Sequence, residues 1–134
     1  MPATRVSAWL PVVAWATVIF AFSSISSLGT GLGAWDVLLR KAAHLVEFAV
    51  LGALLARALS PSVPAVVLGC MYAATDELHQ TFVPGRVGAP LDWALDSVGV
   101  VAGVLLFARV RARREVETGT HASEPRRGAK IRER

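Results

Sequence analysis

The chain has 134 residues, of which 54% are hydrophobic and 18% charged, and its mean hydropathy is positive. It is too short for two soluble domains and too apolar for one. Its single cysteine, Cys70, excludes a disulfide within the chain and a metal site built on two cysteines. These features predict one small all-α membrane domain.

The formal net charge of +4 comes from the C-terminal end of the chain. Residues 109–134 carry nine Lys/Arg and four Asp/Glu, whereas residues 1–108 carry five and six. The end segment has little to bury, so we expect residues 109–134 to form a disordered basic tail. A basic cluster beside a membrane segment is explained by membrane topology and by anionic lipids, so membrane lipids are expected partners and nucleic acid is not.

Four apolar segments separated by turn-rich stretches predict a polytopic protein with four transmembrane helices. The expected bounds are about 6–22, 41–59, 63–80 and 91–108, within a domain of residues 1–108. Residues 23–36 are rich in Ser and Gly, so they are expected to form the first loop. The first apolar segment could also be a signal peptide, with Ala21-Phe22-Ser23 as its cleavage site.

Polar residues concentrate at the start of the second predicted helix, the end of the third and the start of the fourth. Because successive helices alternate in direction, these ends are expected to meet on one side of the membrane. A charged group inside a membrane costs roughly 2.5–3.5 kcal/mol on insertion scales, so this concentration points to a functional site. The expected patch contains Lys41, His44, Glu47, Asp76, Glu77, His79, Gln80, Arg86, Asp92 and Asp96.

The side on which this patch lies follows from the basic tail. Four spans place both termini on the same side, and nine Lys/Arg in the tail predict that this side is the cytoplasm. Arg40, Lys41 and Arg86 are expected on the opposite side and argue against this assignment. The nine Lys/Arg of the tail outnumber these three residues. We therefore expect a multi-pass membrane protein whose polar patch is extracytoplasmic.

Three motifs occur in order along the chain. They are K-x-x-H-x-x-E-F at 41–48, D-E-x-H-Q-x-F-x-P-G-R at 76–86 and D-x-x-x-D-x-x-G-x-x-x-G at 92–103. Together they resemble the VanZ-like family of small bacterial integral membrane proteins. Phe48 stands where Tyr is frequent in that family, and Asp96 stands where Asn is usual. The resemblance implies a bacterial inner-membrane protein and, in some members, a link to teicoplanin resistance, without an agreed reaction.

The first functional hypothesis is an enzyme acting on a lipid-linked cell-wall precursor or a lipid-tailed glycopeptide at the outer leaflet. Asp76 or Glu77 would be the general base, with His44 as its acid partner. Lys41 and Arg86 would hold a phosphate or carboxylate of the substrate. The remaining expected substrate-binding residues are Gln80, Glu47, Asp92 and Asp96. No serine nucleophile is expected, because the serines cluster in the first loop without a placed base.

The residues leave several alternatives open. A metal-assisted reaction would use nitrogen and oxygen ligands, for which the candidates are His44, Glu47, Glu77 and His79. No metal or other cofactor is assigned by the pattern itself. A second hypothesis is a non-catalytic protein that binds a lipid or an antibiotic. A third, less favoured, is a small proton-coupled transporter, which needs acidic residues near the membrane midplane.

Overall fold

The computed structural model describes residues 3–26, 33–61 and 63–122. Over these residues the chain forms four α-helices and no strand, which confirms the all-α prediction. The helices are α1 (Ala3–Ser23), α2 (Ala34–Leu59), α3 (Val63–Gln80) and α4 (Pro90–Ala122). Three described segments are long and apolar enough to cross a membrane, namely Val6–Ser23, Ala34–Leu59 and Pro90–Thr118. The crossing of the membrane by α3 stays a prediction.

The second helix begins earlier than predicted. It starts at Ala34 rather than near residue 41, so the expectation of a loop through residue 36 was wrong at its C-terminal end. Asp36 lies in the first turn of α2, where a carboxylate interacts favourably with the positive end of the helix dipole. Residues 27–32 of the expected loop lie outside the described residues.

The fourth helix continues beyond its predicted end at residue 108. Residues 109–122 are helical, so the prediction of a disordered tail was wrong for this part. Arg111 Nε donates to Glu115 Oε1 at 3.0 Å, one helical turn further on. Such i,i+4 pairs, together with the good helix propensity of Arg, Ala and Glu, favour the extension. Residues 123–134 of the expected tail lie outside the described part.

Helices α2 and α4 form the most extensive interface, and they run parallel to each other. A Cβ atom on Gly99 would lie 2.6 Å from the carbonyl oxygen of Leu45, and one on Gly103 would overlap the carbonyl oxygen of Ala49. Gly99 and Gly103, the two glycines of the third sequence motif, therefore let the backbones of α2 and α4 approach closely. Helix α3, which lies between α2 and α4 in sequence, runs in the opposite direction to both of them.

Two hydrogen bonds from polar side chains hold α1 against α2 and α3. Trp15 Nε1 donates to the backbone carbonyl of Glu47 at 2.9 Å, and Tyr72 Oη donates to the carbonyl of Ala16 at 2.5 Å. The core between the helices is apolar and includes Ile19, Phe48, Leu51, Leu55 and Val100. These contacts fix the C-terminal end of α1 beside the C-terminal end of α3.

The outer surface of the bundle is unusually apolar. Large side chains with more than half of their surface exposed include Leu10, Leu39, Met71 and Leu106. In water such an array would be an aggregation-prone surface, whereas in a bilayer it contacts acyl chains. The distribution of apolar residues agrees with a membrane protein.

Candidate functional site

The C-terminal ends of α1 and α3 and the N-terminal ends of α2 and α4 meet at one end of the bundle. A cavity of about 100 Å³ lies there. It is lined by Val37, Arg40, Lys41, His44, Glu77, Gln80, Arg86, Val87, Asp92, Leu95 and Asp96. The structure thus brings most of the sequence-predicted patch around one space. Of the predicted patch, Asp76, Glu47 and His79 are not part of this lining.

Asp76 lies behind the cavity and is only 2% exposed. Its Oδ2 atom accepts hydrogen bonds from Ser23 Oγ at 2.7 Å and from Gln80 Nε2 at 2.9 Å. Its Oδ1 atom is buried and has no hydrogen-bond partner in the described part of the chain. The carboxylate is therefore fixed in orientation through one oxygen while the other stays available.

Ser23 is a site residue that the sequence interpretation missed. It is the last residue of α1 rather than part of a loop, and it is fully buried. Its hydroxyl donates to Asp76, so the expected position of this serine in a loop without a neighbouring base was wrong, while the expected lack of a serine nucleophile stays a prediction. The available signal was its position at the end of an apolar segment, since a buried hydroxyl needs a partner.

His44 and Asp96 face each other across the interface of α2 and α4. His44 Nδ1 lies 3.7 Å from Asp96 Oδ2, which is longer than a hydrogen bond. Asp96 is 2% exposed, and its Oδ2 atom has no hydrogen-bond partner among the described residues. The imidazole of His44 also stacks against Phe48, with 6.3 Å between ring centroids. His44 and Asp96 thus lie close together without a direct hydrogen bond between them.

The side chains whose nitrogen and oxygen atoms could bind one metal ion differ from the predicted metal candidates. His44, Asp76 and Asp96 each offer one such atom within 4.8 Å of the others. Glu77 instead accepts a hydrogen bond from the backbone N–H of Ala89 at 2.9 Å, through Oε2. Of the four residues predicted as ligands, only His44 belongs to this group.

Two other members of the predicted patch lie to the side of the cavity. His79 Nε2 lies 3.0 Å from Ser24 Oγ, and its ring stacks on Phe20 with 4.3 Å between centroids. His79 therefore faces α1 rather than His44. Glu47 lines a neighbouring groove together with His44 and Arg86, and its Oε2 atom is buried without a hydrogen-bond partner in the described residues.

Lys41 lies at the N-terminal end of α2, where it forms an ion pair with Asp92 of α4. Both side chains are about a third exposed, at 38% and 31%, so water weakens the attraction between them. The pair lies at the mouth of the cavity. An anionic ligand that enters the cavity would therefore compete with Asp92 for the ammonium group of Lys41.

Arg86 is positioned by a tight turn in the α3–α4 loop. The backbone N–H of Arg86 donates to the carbonyl of Val83 at 3.1 Å, with Pro84 and Gly85 between them. Gly85 has a φ of 78°, which is typical of the third residue of a type II turn and favours glycine. The turn directs the guanidinium back towards the helix ends.

The guanidinium of Arg86 donates hydrogen bonds to one side chain and to two backbone carbonyls. It donates to Gln80 Oε1 at 3.1 Å and to the carbonyls of Ile25 and Phe22 at 3.2 and 3.4 Å. Burial lowers the pKa of Arg86, and nearby Arg40 lowers it further. The ordinary pKa of arginine is so high that the group stays positively charged at neutral pH.

Comparison with known proteins identifies one relationship. The family model described as VanZ/LLP1 matches residues 3–111, which includes all three sequence motifs. No curated protein and no solved structure gives a significant match to the chain.

Proposed function

This chain belongs to the VanZ/LLP1 family, and on that basis we propose that its cavity binds the charged head group of a lipid-linked envelope component or of a lipoglycopeptide such as teicoplanin. The observation that carries the proposal is the cavity at the ends of apolar helices, with Arg40, Lys41 and Arg86 in its lining. The lining also contains the carboxylates of Glu77, Asp92 and Asp96, and Lys41 is paired with Asp92. Among the described residues Arg40 and Arg86 form no ion pair, so these two cations favour a phosphate or carboxylate ligand.

The size of the cavity limits what it can enclose. The cavity has a volume of about 100 Å³ and is surrounded by charged and polar side chains, so a phosphate or carboxylate group is small enough to enter it. We therefore infer that one charged group enters the cavity while the rest of the ligand stays outside.

The surroundings of the cavity suit a ligand with a lipid tail. Val87 lines the cavity and is 87% exposed, and Phe82 in the same loop is 79% exposed. Exposed apolar side chains beside a polar cavity are typical of a surface that contacts the interfacial region of a bilayer. An acyl or polyprenyl chain would pass over these residues into the membrane.

The location of the cavity relative to the basic end of α4 supports an extracytoplasmic site. From Pro90 to Arg109, α4 extends by about 29 Å at 1.5 Å per residue, which matches the hydrocarbon thickness of a bilayer. The cavity therefore lies on one side of the membrane, and the arginines after residue 108 lie on the other. The positive-inside rule assigns those arginines and both termini to the cytoplasm of a bacterial inner-membrane protein.

Binding of a radiolabelled polyprenyl phosphate to the full-length protein in lipid nanodiscs tests this proposal. We expect Arg86→Gln and Lys41→Met each to weaken binding at least about tenfold, equivalent to about 1.4 kcal/mol. Arg57→Gln is the matched control, because Arg57 lies at the opposite end of the bundle and donates to the carbonyl of Ala8. Equal affinity in all four proteins would contradict a head-group site at the cavity.

Catalysis at the same site is a second candidate function. Two polar contacts favour it, namely the hydrogen bond from Ser23 to Asp76 behind the cavity and the proximity of His44 to Asp96 in its lining. Groups of this kind can transfer protons to and from a bound substrate. Lipid-linked envelope precursors should be compared between cells with the protein, without it, and with Asp76→Asn. A species that depends on Asp76 would favour catalysis, and unchanged precursors with retained head-group binding would favour binding alone.

A further inference from the structure

Two carboxylates in the interior of the protein form no ion pair with a Lys or Arg side chain of the described residues. Asp76 and Asp96 are each 2% exposed. Within the described residues, the ion pairs formed by Lys and Arg involve Asp92 and Glu115 and neither of these carboxylates. Burying an ionised carboxylate is unfavourable unless protons, a cation or hydrogen bonds compensate for the lost hydration. A bound cation would supply this compensation at both carboxylates.

Each of these carboxylates has an oxygen atom close to His44 and an oxygen atom without a hydrogen bond among the described residues. Both donors to Asp76, Ser23 and Gln80, contact its Oδ2 atom, so Oδ1 is left buried and without a partner. Asp96 Oδ2 is likewise without a hydrogen bond, and it lies 3.7 Å from His44 Nδ1. Ligand-type atoms of the three residues lie within 4.8 Å of one another.

We propose that His44, Asp76 and Asp96 bind a divalent transition-metal ion, for which Zn²⁺ is the reference probe. Two ligands held tetrahedrally about 2.1 Å from Zn²⁺ are roughly 3.4 Å apart, close to the separation of His44 and Asp96. One imidazole with two carboxylates suits Zn²⁺, Mn²⁺ or Fe²⁺ better than Mg²⁺ or Ca²⁺. A charge of +2 also balances the two buried carboxylates.

The surroundings of the three ligands resemble those of a metal centre with one open position. Ser23 and Gln80 hold Asp76 through its second oxygen, as outer-shell hydrogen bonds commonly do for a metal-binding carboxylate. His44 and Asp96 line the cavity, so the remaining coordination position faces it. Water or an oxygen of an anionic ligand would complete the coordination there. This inference rests on the three side chains and does not require the proposed head-group binding.

Metal content of the purified full-length protein in detergent provides the first test. After loading with Zn²⁺ and removal of the excess, we expect about one Zn²⁺ per chain in the unmodified protein, as a three-ligand site implies. Asp96→Asn and His44→Gln should each retain less than about a tenth of that metal, because each removes a ligand. Glu77→Gln is the matched control, since Glu77 is adjacent to Asp76 in sequence and its Oε2 atom binds the Ala89 N–H. Loss of Zn²⁺ in Glu77→Gln equal to that in Asp96→Asn would overturn this ligand set.

Two further measurements separate metal binding from misfolding and from simple protonation of the carboxylates. Co²⁺ should give visible absorption bands in the unmodified protein and in Glu77→Gln, and these bands should be absent in Asp96→Asn. A chelator should lower the unfolding temperature of the unmodified protein and leave that of Asp96→Asn unchanged. If the unmodified protein binds no more Zn²⁺ than Asp96→Asn and does not respond to the chelator, the metal site is wrong. Failure of the unmodified protein to bind polyprenyl phosphate while it binds Zn²⁺ would count against the head-group proposal alone.

Discussion

Arg86 joins three parts of the chain through one planar group. Its guanidinium donates to the side chain of Gln80 in α3 and to carbonyls at Phe22 and Ile25, at and just beyond the end of α1. A lysine offers one compact charge on a flexible stem, so it cannot reproduce these three directed contacts. We expect Arg86→Lys to weaken polyprenyl phosphate binding by about tenfold or more. A tenfold change corresponds to about 1.4 kcal/mol of binding free energy.

The control for this prediction is Arg57→Lys at the other end of the bundle. Arg57 makes a 3.4 Å hydrogen bond to the carbonyl of Ala8, a contact that a lysine can replace without affecting the cavity. Binding and protein abundance should therefore stay unchanged in Arg57→Lys. Full binding by Arg86→Lys would show that only charge and reach matter at position 86, as for a side chain that extends to the membrane surface.

The sequence predicts some site residues far better than others, for a physical reason. Lys41, His44 and Asp96 stand out because charged or titratable side chains in apolar segments are costly and need an explanation. Ser23 does not stand out, because a small hydroxyl residue is tolerated in membrane helices and its burial depends on a contact with Asp76, 53 positions away. The grouping of His44 with Asp76 and Asp96 likewise depends on how three helices rotate against one another, which helical periodicity alone leaves open.

At the scale of the elements, the parallel pair α2 and α4 positions the site, and its packing depends on Gly103. A Cβ on Gly103 would overlap the backbone carbonyl of Ala49, which has little freedom to move within α2. We expect Gly103→Ala to lower the free energy of unfolding by about 1–3 kcal/mol, the usual cost of overpacking. Thermal unfolding of the purified protein in detergent measures the change.

A matched control for Gly103→Ala lies at the next position of α4. Ala102 is exposed on the outer surface, so Ala102→Val adds apolar volume without a clash and should change the unfolding temperature little. If Gly103→Ala unfolds at the same temperature as the unmodified protein, the two backbones do not approach as closely as the structure shows.

The sequence predicts that each of the four helices is present, but it does not predict where α2 begins or where α4 ends. Apolar runs long enough for a membrane mark the centres of the helices. The start of α2 at Ala34 was missed because the preceding Ser/Gly-rich stretch hides the boundary, and because residues 34–40 carry no clear helical period of their own. The extension of α4 was missed because residues 109–122 have nothing to bury, while local pairs such as Arg111 with Glu115 still favour a helix.

At the scale of the whole molecule, three surfaces of different character are arranged along one axis. The sides of the bundle are apolar, one end carries the cavity, and the far end of α4 carries arginines such as Arg111 and Arg113. Apolar sides fit the hydrocarbon, and a basic end fits the cytoplasmic surface with its anionic lipids. In the orientation that we propose, the cavity faces the opposite side, where cell-wall precursors and glycopeptides occur.

This orientation predicts which positions react with a membrane-impermeant thiol reagent in intact cells. In a Cys70→Ala background, Val87→Cys should be labelled, because Val87 is 87% exposed beside the cavity. Glu117→Cys lies on the exposed basic end of α4, and it should be labelled only after the membrane is opened. Cys70→Ala without a new cysteine controls for background labelling. Labelling of Glu117→Cys but not of Val87→Cys in intact cells would place the cavity in the cytoplasm, where an extracytoplasmic glycopeptide could not reach it.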